Sequence, residues 1–261
     1  MSSSDKGLDA RRALTPPAGA AKLRALRPVS RTRPAPVDVT QLLLVAPVLL
    51  FSLVAHEYAH GYAALRQGDS TALQLGRLTW NPAKHIDPFM TVLVPVMLAL
   101  AGGPIFGGAK PVPVEPRNFR RYKRGDIIVS LAGVATNFLL APLCALAVVV
   151  LGAVGQRAPG LAPSLAILQI MMLYGVLVNF TLAVFNLLPL PPLDGSRVFK
   201  YLLPPAWAVH YQNLGRFGFL LLFALLYLGG GVVGRWMSPA YLLFQSARNV
   251  VAPFLLPSPF A

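Results

Sequence analysis

Residues 41–65 read QLLLVAPVLLFSLVAHEYAHGYAAL, and this stretch decides both the fold and the chemistry. The part up to Ala55 is an almost unbroken apolar run. A helix needs about 20 such residues to cross the hydrocarbon core of a bilayer. The run therefore predicts a membrane-spanning helix, and its last turns contain the polar cluster HEYAH at residues 56–60.

The composition of the whole chain also indicates a membrane protein. Of the 261 residues, 55% are hydrophobic and 12% are charged, with a mean hydropathy of +0.59, whereas soluble domains contain roughly 25% charged residues. Further apolar runs predict helices near 89–107, 127–152, 164–188, 214–234 and 239–256. We expect an all-α polytopic membrane protein with about five to six hydrophobic helices. Prolines and glycines interrupt 89–107, which either crosses the membrane or re-enters it.

Two segments differ from this helical pattern. Residues 1–38 are rich in Ser, Ala, Pro and Arg and have few large apolar side chains, which predicts a basic disordered tail. The remainder, 39–261, is expected to form a single membrane-embedded domain. Within it, residues 71–80 (TALQLGRLTW) alternate partly between apolar and polar side chains, and this favours a short strand, so we expect minor β structure there.

The net charge of +14 is concentrated beside the apolar runs. Eight of the 23 Lys and Arg residues precede residue 40, and six lie between Lys110 and Arg124. Basic clusters of this kind are expected where a chain meets anionic lipid headgroups. The first cluster contains no aromatic residue and the second only Phe119 and Tyr122, which is not the regular aromatic-basic alternation of many nucleic-acid-binding segments. We predict contact with the lipid bilayer and no binding of nucleic acid; the sequence leaves the oligomeric state open.

The HEYAH cluster has the spacing of a metal site. His56 and His60 are four residues apart, so they project from one face of a helix and can bind one ion. Zinc binds neutral imidazole nitrogen, and Glu57 beside this face is placed to accept a proton from an activated water. So short a motif also arises by chance. However, ionisable side chains at membrane depth are costly unless they are paired or bind a metal, which favours the metal site.

A catalytic zinc ion takes a third protein ligand and keeps one position open. The best candidate is Asp194, which follows the run 164–188 in the sequence NLLPLPPLDG at 186–195. The prolines of this sequence exclude a regular helix, and irregular backbone at membrane depth must be buried in protein or line a cavity. Taken alone, Asp194-Gly195 is equally compatible with an ordinary turn at the membrane surface.

With these residues in place, the chain resembles the site-2 protease family of intramembrane zinc metalloproteases (peptidase family M50), in its compact bacterial branch without a PDZ domain. HEYAH resembles the HExxH of the family, NLLPLPPLDG its NxxPxPxLDG, and AGVATN at 132–137 its AGPxxN. The segments 76–88 and 109–119 also resemble that branch. The chain departs from the family pattern at Val134, where the family usually has proline.

The resemblance implies a zinc metalloprotease with one zinc ion per chain, held by His56, His60 and Asp194. Glu57 would be the general base, and Asn137 and Asn186 would bind the substrate or stabilise an oxyanion. For both asparagines the alternative is a hydrogen bond between helices. The implied partner is a membrane-protein or peptide substrate. The implied location is the bacterial cytoplasmic (inner) membrane, which the chain would cross several times.

The metal ligands also constrain the topology. If 89–107 crosses the membrane, the helices near 41–65 and 164–188 run antiparallel, and His56 and Asp194 approach from opposite faces. If 89–107 re-enters, these helices run parallel and the ligands meet at similar depth. The second arrangement is favoured, although it places the basic tail outside, against the usual charge distribution.

Two other functions fit the same residues. One is a membrane metal-binding or transport protein; the other is a catalytically inactive family member that acts as a scaffold. Transporters usually place their ionisable residues along a path, whereas here they converge on one site. His85 and Asp87 form a candidate second metal site, for which structural pairing is the alternative.

Overall fold

The computed structural model describes residues 39–100 and 107–260, and this part of the chain is all-α, as expected. Its helices are α1 (Val39–Gln67), α2 (Thr71–Gln74), α3 (Val94–Leu100), α4 (Tyr122–Arg157), α5 (Ala162–Asn186), α6 (Asp194–Phe199), α7 (Pro205–Asn213), α8 (Gly218–Leu228) and α9 (Gly230–Val251). A π-helical turn, Pro88–Leu93, leads directly into α3. The tail predicted over 1–38 lies outside the described residues.

Among the described residues, four helical stretches are long and apolar enough to cross a membrane: Val39–Gln67, Tyr122–Arg157, Pro159–Asn186 and Pro205–Leu228. A shorter apolar helix covers Pro88–Leu98. The boundary expected between the last two helices is wrong. The break lies at Gly229, and α9 then continues without interruption from Gly230. Three consecutive glycines at 229–231 explain this position, since glycine is a poor helix former.

Helices α1 and α4 pack in antiparallel fashion. Nδ1 of His60 lies 2.7 Å from the carbonyl oxygen of Val129, and Nδ1 of His56 lies 2.6 Å from Oδ1 of Asn137. Residue numbers therefore rise along α4 as they fall along α1. This contact carries the HEYAH turns of α1 against the middle of α4.

Helices α1 and α5 instead pack in parallel. Nδ2 of Asn179 donates to Oγ of Ser52 at 2.9 Å. One turn earlier on both helices, Val48 lies beside Gly175. Because α5 runs in the direction of α1, its end and the following Pro-rich turn reach the level of HEYAH.

The interrupted segment that contains α3 returns to the point where it began. The N–H of Gly108 donates to the carbonyl oxygen of Met90 at 3.1 Å, and the N–H of Lys110 donates to that of His85 at 2.8 Å. A segment that crossed the membrane would separate these ends by about 30 Å. The adjacency of the ends therefore favours re-entry, in agreement with the parallel packing of α1 and α5.

The strand expected near 71–80 is wrong. The segment begins with α2, and the N–H of Arg77 then donates to the carbonyl oxygen of Ala72 at 2.8 Å. Gly76 turns the chain with a φ of +61°. Hydrogen bonds are thus made within the segment, and no strand occurs anywhere in the described part of the chain to pair with it.

Candidate metal centre

His56, His60 and Asp194 converge on one point. Nε2 of His56 lies 2.9 Å from Nε2 of His60, and Oδ2 of Asp194 lies 3.1 Å and 3.2 Å from these two nitrogens. Both histidines are buried, and the side chain of Asp194 is 17% exposed. The three atoms form a small triangle whose edges are nearly equal. Within the described residues, this is the one group of three potential metal ligands so arranged.

The hydrogen bonds of the two Nδ1 atoms determine whether the triangle can bind a metal ion. Nδ1 of His56 faces Oδ1 of Asn137, and Nδ1 of His60 faces a backbone carbonyl oxygen. Both Nδ1 atoms must donate to these oxygens, so in neutral rings both Nε2 atoms carry lone pairs. A single proton bridges one edge of the triangle, whereas a metal ion bonds to all three atoms. With bonds of about 2.0–2.1 Å, tetrahedral zinc needs ligand atoms about 3.3 Å apart, so the residues fit this ion.

Gly133 permits this close approach of α1 and α4. A Cβ atom at this position would lie 2.5 Å from Nε2 of His60 and 2.6 Å from Nε2 of His56. Such distances are far below van der Waals contact. The histidine rings therefore occupy the space that the side chain of any other residue would fill. This explains why the AGVATN sequence has glycine at position 133.

Asp194 is itself the first residue of the short helix α6. The following Gly195 packs so tightly on the backbone of Leu187 that a side chain there would collide with it. Burial alone raises the pKa of the Asp194 carboxyl, but its contacts with His56 and His60 outweigh burial and hold the pKa below the usual range. Asp194 is therefore a carboxylate, as a metal ligand must be.

A second ion pair fixes the far end of α6. Nζ of Lys200 lies 2.6 Å from Oδ2 of Asp126, and the hydroxyl of Tyr201 donates to the same oxygen at 2.8 Å. Asp126 is almost fully buried near the start of α4. Asp126 thus ties the end of the helix of Asp194 to α4.

Glu57 lies on α1 next to the ligands and is partly exposed. Its Oε2 accepts a hydrogen bond of 2.8 Å from the backbone N–H of Val112. Val112 belongs to the extended segment that follows the α3 segment, and it packs on Gly61. The proposed base is therefore held in one direction by backbone rather than by a mobile side chain.

The two asparagines occupy different surroundings. Asn137 is fully buried and contacts His56, so it lies behind the ligands rather than in a space open to substrate. Asn186 is partly exposed at the end of α5, and its Nδ2 donates to the carbonyl oxygen of Leu182 at 3.0 Å. No hydrogen bond joins Asn186 to the three candidate ligands.

The candidate second site is used structurally. Asp87 caps the π-helical turn by accepting hydrogen bonds from the N–H groups of Phe89 and Met90. The buried His85 contacts the carbonyl oxygen of Thr79 through Nε2 at 2.9 Å. No third ligand of the described chain joins this pair.

Sequence analysis did not identify Asn179, which is 1% exposed and hydrogen-bonded to Asn137. Its signal was present, because an amide in the middle of an apolar span needs an internal partner. The sequence could not name that partner, since it lies on another helix.

The chain is similar to a protein family and to several known proteins. The model of Peptidase family M50 matches residues 154–225. "Putative zinc metalloprotease YwhC" of Bacillus subtilis (strain 168) is 36% identical over 201 residues, which are 77% of this chain and 87% of that protein. "Putative zinc metalloprotease Rip2" of Mycolicibacterium smegmatis is 32% identical over 70% of this chain and 66% of its own length.

Rip2 of Mycobacterium tuberculosis (strain H37Rv) is 29% identical over 75% of this chain and 71% of its own length. No solved structure matches the chain. The extent of the similarity to the Bacillus protein, together with the family match, establishes that the chain is a protease belonging to peptidase family M50.

Proposed function

We propose that the chain is an intramembrane zinc metalloendopeptidase that hydrolyses peptide bonds of membrane-protein substrates. The observation that carries this proposal is the triangle formed by His56, His60 and Asp194, whose edges are 2.9–3.2 Å. It lies on and beside helices long enough to cross a membrane, in a family of proteases. These three residues would hold one zinc ion per chain.

When bound, zinc supplies Lewis-acid chemistry, because it polarises a carbonyl group and acidifies a water molecule. Glu57 accepts the proton of that water on a carboxylate oxygen and returns it to the amine that leaves. The N–H of Val112 keeps the other oxygen of Glu57 in place. Asn186, at the open end of α5, is proposed to bind the backbone or the carbonyl oxygen of the substrate. The contacts of Asn137 support a role toward His56 instead.

A single domain over 39–261 would cross the bacterial cytoplasmic (inner) membrane several times, with lipid around its apolar helices. Substrate helices would unwind before cleavage, since a helical backbone hides its carbonyl groups. The bacterial origin of the relatives supports this location.

The test compares Glu57→Gln with the wild-type chain in detergent, using a single-span membrane protein as substrate. We expect Glu57→Gln to retain zinc and to lose cleavage by a factor of about 100 or more, as is typical of a removed general base. Glu115→Gln is the matched control, because the side chain of Glu115 caps a helical turn and pairs with the exposed Arg117, away from the candidate ligands. Cleavage by Glu57→Gln at the wild-type rate would refute the mechanism. Metal flux into vesicles without any cleavage would instead support a transporter.

A further inference from the structure

A line of buried amides runs from α5 through α4 to the metal centre. Nδ2 of Asn179 donates to the carbonyl oxygen of Gly175 and to Oγ of Ser52, both at 2.9 Å. Nδ2 of Asn137 donates to Oδ1 of Asn179 at 2.8 Å, and Oδ1 of Asn137 lies 2.6 Å from Nδ1 of His56. Both amides and Ser52 are at most 1% exposed.

The line has a fixed direction because it starts at a backbone carbonyl. The carbonyl oxygen of Gly175 only accepts hydrogen bonds, so the nitrogen of Asn179 must face it. The oxygen of Asn179 is then turned to Asn137, which must present its own nitrogen. The oxygen of Asn137 consequently faces His56, whose Nδ1 must carry the hydrogen. The free lone pair of His56 is left on Nε2, the atom in the triangle.

We infer that Asn179 and Asn137 are positioning residues that hold His56 in the tautomer required of a metal ligand. This inference rests on the proposed zinc site. In the reverse arrangement, the nitrogen of Asn137 would face Nδ1 of His56, and the hydrogen would move to Nε2. It would then point at His60 and Asp194 and exclude a cation. Partners that orient metal-binding histidines contribute about 10- to 100-fold in metal affinity.

The placement of two amides in apolar spans supports this role. Polar side chains between membrane helices contribute little to helix packing on average. A half-satisfied buried network is worse than an apolar core. Here each side-chain nitrogen and oxygen of the line has at least one hydrogen-bond partner, and the line terminates on a candidate ligand, at a point that helix packing alone would not select.

The test measures the zinc dissociation constant of the full chain in detergent, by competition with a chelator, together with the absorption spectrum of the Co²⁺-substituted protein. Asn179→Leu should weaken zinc binding about 10- to 100-fold and alter the Co²⁺ spectrum. Asn179→Ala carries the same expectation and covers the case in which the leucine variant does not fold. Gln169→Met is the control, because Gln169 is equally buried on α5 but contacts Val148 and the C-terminal segment.

A double variant tests direction rather than mere stability. A carboxylate at position 137 has an oxygen on both sides, so it accepts from His56 without needing Asn179 to orient it. Asn137→Asp combined with Asn179→Leu should therefore bind zinc within a few-fold of wild type, unlike Asn179→Leu alone.

Three results would overturn the inference: unchanged zinc binding in Asn179→Leu, an equal loss in Gln169→Met, or no rescue by the double variant. If the wild-type chain binds zinc and one of these results is found, the positioning role fails while the proposed function stands. If the wild-type chain binds no zinc, both fail.

Discussion

The substitution Gly133→Ala separates the metal centre from the stability of the fold. The added methyl carbon would lie 2.5 Å from Nε2 of His60 and 2.6 Å from Nε2 of His56. Ordinary contacts of such atoms are about 3.5 Å, so the two rings must move by about 1 Å. Zinc sites tolerate ligand displacements of only about 0.2 Å. We therefore expect zinc affinity to fall on the order of 100-fold.

The same substitution has an opposite effect on the helix. Alanine is favoured over glycine by about 1 kcal/mol inside an α-helix, and Gly133 lies in the interior of α4. The free energy of unfolding of the metal-free protein should therefore fall by no more than the strain energy of moving the two histidine side chains. The expected combination is a helical, monodisperse protein that has lost zinc.

The assay is equilibrium dialysis against chelator-buffered zinc, with metal content and thermal unfolding measured on the same samples. Gly234→Ala provides the control, because Gly234 lies inside α9 and, apart from the local backbone of α9, no atom of the described residues comes within 4 Å of an added Cβ. This variant should gain helix stability and keep zinc. Wild-type zinc affinity in Gly133→Ala would show that the histidine rings do not bind the metal where they lie, and the reasoning would be refuted.

Two further predictions concern the loops and the topology. Asp69→Asn should destabilise the fold by about 1–3 kcal/mol, because its amide would place an N–H group against the N–H of Glu115. Burial alone raises the pKa of Asp69, but hydrogen bonds from Thr71, Asn118 and Glu115 hold this pKa below 3.8. The difference in unfolding free energy between wild type and variant should therefore be constant above about pH 5 and shrink as the pH falls below about 4. A difference that grows in acid would contradict this. After replacement of the native cysteine, Val39→Cys and Arg117→Cys should react with an impermeant thiol reagent from opposite sides of the membrane, and labelling from the same side would exclude re-entry of the α3 segment.

Much of the centre could be predicted because its signals are local. The spacing of His56 and His60 fixes their common face on α1 whatever surrounds them. Asp194 could be named because prolines prevent a helix where an apolar span ends. The preference for re-entry of the α3 segment also followed from one constraint, that three ligands must meet at one depth, and it stays a prediction.

The remainder depends on contacts between distant parts of the chain. Whether Asn137 faces a substrate or a histidine is decided by the packing of α4 on both α1 and α5. The strand expected at 71–80 failed for a related reason, since alternation describes a strand only where a partner exists. Gly76 and the turn bonds of Arg77 closed the segment on itself instead.

The Pro-rich segment after the α3 segment is explained by the hydrogen bonds of its backbone N–H groups rather than by a sequence pattern. Its prolines at 111, 113 and 116 have no N–H to donate. The N–H of Lys110 is used by His85, that of Val112 by Glu57, and that of Glu115 by Asp69. These three donors thus fasten an irregular segment to α1, to the turn that follows α1 and to His85, as burial beside a membrane helix requires.

The hydrogen bond between Val112 and Glu57 holds both the Pro-rich segment and the side chain of Glu57 in place. Glu57 orients Val112 as much as Val112 orients Glu57, so a neutral glutamine at 57 weakens the bond to the N–H while keeping its shape. Replacing a charge-assisted hydrogen bond by a neutral one roughly halves its strength. A small loss of stability in Glu57→Gln is therefore expected from the loop alone. A loss of cleavage that far exceeds this structural effect is what assigns Glu57 to the chemistry.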